Sequence, residues 1–282
     1  MTLQELKLDF FTELNQQYPA TEIESFFYWL TQSELNISRL EMALDPQKEI
    51  DITQIESFKK AINRLKNFEP IQYIVGETEF YGCLIKVNPS VLIPRPETEE
   101  LVAWMVEDLK DKKEPFKILD IGTGSGCIPI SLAKSLPQAA VSSIDISAEA
   151  IQTAKDNAKI NRVKVEFLQQ DILKTEKLNG KFDVIVSNPP YVRELEKKMM
   201  QENVLNYEPG LALFVSDEDP LIFYKKIAEL AFEALPEKGI LYLEINEYLA
   251  EEMKLLLKGL GFKKIEMKKD IFGKYRMCKA FL

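Results

Sequence analysis

From Lys117 onward, apolar runs of strand length alternate with amphipathic runs of helix length. The first apolar run ends in a corner of glycines, KILDIGTGSGC, with Gly122, Gly124 and Gly126. This feature constrains the fold more than any other. A strand that turns through glycine straight into a helix (IPISLAKSL) opens a parallel α/β sheet, because parallel neighbours need a crossover and the crossover is usually helical. Strands are predicted near 117–121, 140–145, 163–168, 182–187, 239–245, 262–267 and 275–281. The last two are joined by a short segment around Gly273, which reads as a hairpin. The expected fold is an α/β, Rossmann-like one: a seven-stranded, mostly parallel sheet with one antiparallel strand.

The chain before this sheet follows a different rule. Residues 1–68 contain no glycine, and their only prolines are Pro19 and Pro46. Ile52, Ile55, Phe58, Ile62 and Leu65 recur at steps of three and four, which gives one apolar helix face. TEIE, Thr21 to Glu24, fits a capping box. A small helical bundle is expected over 1–68. In 69–95 the pattern changes: QYIVGETEFYGCLIKV predicts a linking hairpin around Gly76 and Gly82. Then, in VLIPRPETEELV, Pro94 and Pro96 hold Ile93 and Arg95 extended. A helix is expected from Pro96, with Glu97, Glu99 and Glu100 near its positive end. The sheet domain is assigned 96–282.

Composition removes several functions. The chain has no histidine, so Ser-His and Cys-His nucleophiles are excluded. Cys83, Cys127 and Cys278 are isolated and lack metal-ligand spacing; no metal site is predicted, and reduced thiols point to the cytoplasm. A net charge of −9 argues against DNA or RNA as the direct target. No apolar run approaches the ~20 residues of a membrane span, and the N-terminal residues lack the apolar core of a secretory signal.

The chemistry gathers at strand ends. Gly122, Gly124 and Gly126 let backbone approach a ligand closely; packing of strand against helix would also use them. The dinucleotide pattern needs glycine at 127, where Cys127 stands, so a pyrophosphate cradle is less well supported. Asp120 precedes the first glycine and would favour a cationic ligand. Asp145, ending the second strand, is placed to accept the hydroxyls of a ribose. Asp171, after the third, reads either as a contact to an adenine edge or as a helix cap. A nucleoside with a positive centre and no phosphate satisfies these features together, and S-adenosylmethionine is such a molecule.

The fourth strand, FDVIVS, ends in Asn188, Pro189, Pro190 and Tyr191. Two prolines donate no hydrogen bond. The Asn188 side-chain oxygen and the Pro189 carbonyl can accept both N–H bonds of an amide or exocyclic amine, which directs its nitrogen lone pair at a methyl group. Pro190 stiffens this corner and Tyr191 can stack on a planar substrate group. The competing reading is an ordinary Asn-Pro turn closing a strand.

PIQYIVGETEFYG, VLIPRPETEELV, ILDIGTGSGC, VSNPPYV and YEPGLALF resemble, in order and spacing, the blocks of HemK-type protein-(glutamine-N5) methyltransferases that modify peptide-chain release factors. The resemblance covers nearly the whole chain. NPPY alone is shared with DNA adenine-N6 methyltransferases; PRPETE with NPPY and EPGLALF is more specific. The resemblance implies a class I S-adenosylmethionine-dependent methyltransferase domain behind a helical domain that recognises the protein substrate. It implies cofactor contacts from Gly122, Thr123, Gly124, Ser125, Gly126, Asp145, Asp171, Ile172 and Asn188. Catalysis would fall to Asn188, Pro189 and Tyr191, with the glutamine of a Gly-Gly-Gln loop held by Asn188, Pro189, Pro190 and Tyr191. Arg95, Pro96, Glu97 and Thr98 would line or support the pocket. The alternatives are a ribosomal-protein glutamine methyltransferase, a nucleic-acid adenine methyltransferase and a silent binding module. One departure stands out: LEIN carries Asn246 where glycine is expected, which puts the local turn in doubt. The charged segment 193–210 is read either as a closing loop or as a mobile one.

Overall fold

The computed structural model describes residues 1–282. The chain forms two compact units, Met1–Glu77 with Gln201–Tyr207, and Thr78–Met200 with Glu208–Leu282. The stretch 69–95 is thus divided between them.

The first unit is helical: α1 (Leu3–Leu14), α2 (Ala20–Leu30), α3 (Arg39–Leu44), α4 (Ile52–Lys66) and α5 (Ile71–Val75). Its core centres on Phe10, Phe27 and Phe58, whose ring centroids lie 5.5 to 6.2 Å apart. Ile55, Phe58, Ile62 and Leu65 of α4 are buried as their spacing requires, whereas Ile52, at the first position of the helix, is exposed. The capping box expected at Thr21–Glu24 does not exist. α2 starts two residues earlier than that box requires, at Ala20, with Pro19 as its extended N-cap. Thr21 therefore sits inside the first turn, where its carbonyl accepts from the Ser25 hydroxyl. Capping boxes occur instead at Thr2/Glu5, Ser38/Glu41 and Asp51/Gln54. QYIV, assigned to the hairpin, is helical in α5, and the hairpin itself is confined to Glu77–Phe80 and Cys83–Lys86.

The second unit holds α6 (Pro96–Leu109), then β1 (Phe116–Ile121), α7 (Cys127–Ser135), β2 (Ala139–Asp145), α8 (Ala148–Ile160), β3 (Glu166–Gln169), β4 (Val184–Ser187), α9 (Ile222–Ala234), β5 (Ile240–Glu244), α10 (Ala250–Gly259), β6 (Lys264–Lys269) and β7 (Tyr275–Phe281). The strand order is β6-β7-β5-β4-β1-β2-β3. β7 runs antiparallel to β5 and β6, and the remaining pairs are parallel. α6 begins with Pro96 at its first position. β3 starts later than predicted because Arg162 takes a left-handed backbone and 163–165 form no ladder.

Chain order reverses at β1: β2 and β3 lie to one side, β4 and β5 to the other. Ligands of such sheets bind at the carboxyl ends beside the reversal. The registers make that edge level. Ile121 pairs with Ile144 of β2 and with Ser187 of β4, and Ser187 pairs with Leu243 of β5. Gly122, Asp145, Asn188 and Glu244 therefore leave the sheet side by side.

Candidate active site

A cavity of about 400 Å³ opens at this edge. Gly122 to Ser125 form one wall, Asp145 and the Asp171–Ile172 turn another, and Asn188 to Pro190 a third. α9 supplies Phe223 and Ile227, and the helical turn Gly210–Leu213 of the YEPGLALF block supplies Leu211 and Ala212. A lining of many apolar and a few polar side chains suits a nucleoside.

The glycine corner is built for approach. Gly122 and Gly124 have φ of +90° and +52°, and nothing lies within 4 Å of where a Gly124 side chain would start. The Gly122 and Thr123 amides donate to the Ile144 carbonyl, which pins the turn to β2. Asp145 closes it from the other side: one carboxylate oxygen accepts from the Gly124 amide at 2.8 Å, the other from Ser147 at 2.9 Å.

Gly126 does not line the cavity. A side chain there would meet Ala154 and the Ile130 methyl at 2.9 Å, so this glycine packs α7 against α8. Cys127 lines the wall instead. Asp120 also lies behind the corner, wholly buried: one oxygen accepts from Ser143 at 2.6 Å and the other has no partner. Burial pushes its carboxyl up to about 8, despite the Ser143 hydroxyl and with help from nearby Asp145. It therefore holds its proton near neutrality and offers the cavity no full charge, contrary to the role expected for it.

Asp171 lines the cavity and also caps the turn Ile172–Lys174 through Leu173. Burial would raise its pKa, but Lys174 and the turn's amides outweigh that and hold it below the usual carboxylate range. Both readings of this residue are thus compatible with its position.

At the third wall, the Asn188 side-chain nitrogen donates to the Thr98 hydroxyl at 3.1 Å, and Thr98 donates to Glu244 at 2.6 Å. The Asn188 side-chain oxygen and the Pro189 carbonyl accept no hydrogen bond from the protein. The Asn188 main-chain carbonyl lies 3.7 Å from where a Gly122 side chain would start, so the two motifs abut. Tyr191 stands apart. It does not line the cavity, its ring packs into the sheet core and its hydroxyl donates to Glu244 at 2.9 Å. Stacking of Tyr191 on a substrate has no support in this arrangement. Arg95 and Thr98 line the cavity, whereas Pro96 and Glu97 serve the start of α6.

Residues 7–76 match the PrmC N-terminal domain and residues 100–208 the Methyltransferase small domain. A relative from Flavobacterium psychrophilum, a release factor glutamine methyltransferase, is 50% identical over 282 residues, which is 99% of each chain. The chain belongs to the release factor glutamine methyltransferase family. The Bacteroides thetaiotaomicron member is 43% identical over 95% of each chain. Among solved structures, the Thermus thermophilus 16S rRNA N2 G1207 methyltransferase, in complex with AdoMet and guanosine, aligns with a TM-score of 0.53 at 19% identity. That alignment covers 73% of this chain and 49% of the other and speaks for the fold alone. No helix of this family member is long and apolar enough to cross a membrane.

Sequence reasoning missed the buried polar network behind the asparagine of this glutamine methyltransferase. Glu244 is 1% exposed, at the end of an otherwise apolar strand. Burial raises its pKa and outweighs the opposing pull of the Thr98 and Tyr191 hydroxyls and the Arg276 guanidinium. The two hydroxyls converge on its two oxygens, so neither is left without a partner. Tyr224 donates to the Glu244 main-chain carbonyl, and Arg276 is anchored by Asp270. The available signal was an acid inside ILYLEI: buried carboxylates need partners.

Asn246 does not disturb its turn. Its φ is −66°, so glycine is unnecessary. Its side-chain nitrogen donates to the Tyr191 carbonyl and to Glu196, and its oxygen accepts from the Tyr248 amide. Glu196, which also pairs with Arg193, thereby ties the start of the 193–210 segment to the end of β5.

Proposed function

We propose that this protein transfers a methyl group from S-adenosylmethionine to the side-chain nitrogen of the glutamine in the Gly-Gly-Gln loop of peptide-chain release factors, in the cytoplasm. The cavity's volume, the open space in front of Gly124 and the carboxylate of Asp145 fit the cofactor. Gly122 to Ser125 would hold its amino-acid end, Asp145 its ribose, and Asp171 with Ile172 its base. When bound, S-adenosylmethionine supplies an electrophilic methyl on a positive sulfur.

The chain's own contribution is orientation. A carboxamide nitrogen is a poor nucleophile because its lone pair is delocalised. Asn188 and Pro189 offer two acceptors, and a substrate NH2 group donating to both would be held with that lone pair directed into the cavity. Pro190 keeps the corner rigid. No general base is required, since the nitrogen becomes acidic once methylated and can lose its proton to water. The observation that carries this reading is the pair of unclaimed acceptors, the Asn188 side-chain oxygen and the Pro189 carbonyl, on residues that line the same cavity as Gly122. Incubation with S-adenosylmethionine and purified release factor, followed by mass-spectrometric mapping, is expected to find one methyl group on the loop glutamine. Methylation confined to a ribosomal protein or to DNA would overturn the substrate assignment.

A further inference from the structure

We infer that Glu244 is a positioning residue: acting through Thr98, it decides which end of the Asn188 amide faces the substrate. The inference rests on the reading of Asn188 as an acceptor for the substrate amide, and it concerns a residue 56 positions away in sequence from Asn188, on the adjacent strand β5.

An asparagine side chain is nearly symmetric in shape. Turned by half a rotation, it would present NH2 to the cavity and repel the substrate's own N–H groups. Packing discriminates poorly between the two poses; hydrogen-bond polarity discriminates well. Both oxygens of Glu244 accept in this arrangement, one from Thr98 and the other from Tyr191. Glu244 takes the single proton of the Thr98 hydroxyl at 2.6 Å. Thr98 is then left with lone pairs alone toward Asn188, and it receives the Asn188 NH2 group at 3.1 Å. In the turned pose two oxygens would face each other with no proton between them. The chain Glu244–Thr98–Asn188 therefore directs the Asn188 oxygen to the side away from Thr98.

Glu244 is itself held in place. Tyr191 donates to its second oxygen at 2.9 Å, Arg276 lies 3.5 Å from that tyrosine hydroxyl, and Tyr224 donates to its main chain at 3.1 Å. This gives Tyr191 of the NPPY motif a task other than stacking: it fills the remaining oxygen of Glu244 and so leaves the first one for Thr98.

The test compares Thr98→Val, Thr98→Ser and Glu244→Gln with the native enzyme. Thr98→Val keeps the volume but removes the relay. Its kcat is expected to fall roughly tenfold, the size of one lost directed hydrogen bond, with the Kd for S-adenosylmethionine within about twofold. Thr98→Ser restores the hydroxyl and most of the lost turnover. Glu244→Gln, which can present NH2 to Thr98 and reverse the relay, lowers kcat in the same sense. In 15N-labelled protein the side-chain NH2 protons of Asn188 are expected to exchange with solvent faster in Thr98→Val than in the native chain. A merely structural role would weaken stability or cofactor binding and leave kcat and the amide exchange unmoved. Full turnover in Thr98→Val, or failure of Thr98→Ser to recover it, would overturn the inference. If the native enzyme methylated no glutamine, the functional reading would fail instead, while the exchange measurement would still decide the orientation of Asn188.

Discussion

The Arg95 guanidinium lies 2.5 Å from the carboxylate of Glu208, whose side chain is 1% exposed. The second oxygen of Glu208 accepts from the Ile93 amide at 3.1 Å. One buried acid thus fastens the extended segment before α6 to the loop before the turn Gly210–Leu213, and both line the cavity.

The two partners of this pair are not equivalent. Arg95 is about a third exposed and can turn to water; Glu208 cannot. Arg95→Ala strands a buried charge and is expected to destabilise by about 3 kcal/mol or more. Glu208→Ala frees Arg95 and orphans one amide, at a cost of about 1–3 kcal/mol. Urea unfolding followed by Trp104 fluorescence, in a Trp29→Phe background, reads the second unit alone. Equal losses, or a larger loss for Glu208→Ala, would contradict the asymmetry.

Asn188→Ala removes one of the two acceptors offered to the substrate. Its kcat is expected to fall by about two to three orders of magnitude, as when a single preorganised polar group is deleted from an active site. Cofactor affinity should change only a few-fold. Stopped-flow or single-turnover methylation, paired with calorimetric cofactor titration, separates the two quantities.

Much of this site could be read from sequence, and the reason is locality. Glycine and proline restrict their own backbone, so the corner at Gly122 and Gly124 and the stop at Pro189–Pro190 announce themselves within a few residues. Asp145 was found because its distance from the glycines is set by one strand–helix–strand unit. Glu244 was not, because its partner Thr98 lies 146 residues away and nothing local marks the pair. Gly126 was misread for a related reason: a glycine that spares room for Ala154 looks, in sequence, like one that spares room for a ligand. The helical unit shows the same limit. Its periodicity located α4, yet the start of α2 was decided by Pro19 and not by the nearby Thr-Glu pattern.

Asp145→Ala should weaken S-adenosylmethionine and S-adenosylhomocysteine alike, by about tenfold to a hundredfold, because both share the ribose and one or two hydrogen bonds are at stake. The Gly124 amide also loses its acceptor. Asp145→Asn keeps an oxygen for that amide, so a smaller loss there would divide the two effects. Unchanged affinity for both ligands would remove Asp145 from the ribose assignment.

Asp120 gives a prediction with a definite sign. Its folded pKa, about 8, lies above the ordinary 3.8 because burial disfavours the charge. A raised pKa stabilises the fold fully below the ordinary value, and that contribution is lost as pH rises toward the folded one. Asp120→Asn is neutral throughout. Relative to this variant, the native protein without cofactor should lose thermal stability progressively between pH 4 and pH 8. Melting temperatures of the two, measured in parallel across that range, check it; a constant difference would show that Asp120 ionises normally.

The level pairing of Ile121, Ile144, Ser187 and Leu243 also governs where evolution or an engineer can alter the length of this enzyme. Deleting one residue within Val184–Ser187 would slip the ladder by a single rung and swing Asn188 to the opposite face of the sheet. Residues 216–219 lie exposed and outside the ladder, so added residues there would be absorbed without moving any rung. Natural insertions should therefore collect in such surface stretches, while the spans between rung and reactive corner keep a fixed count.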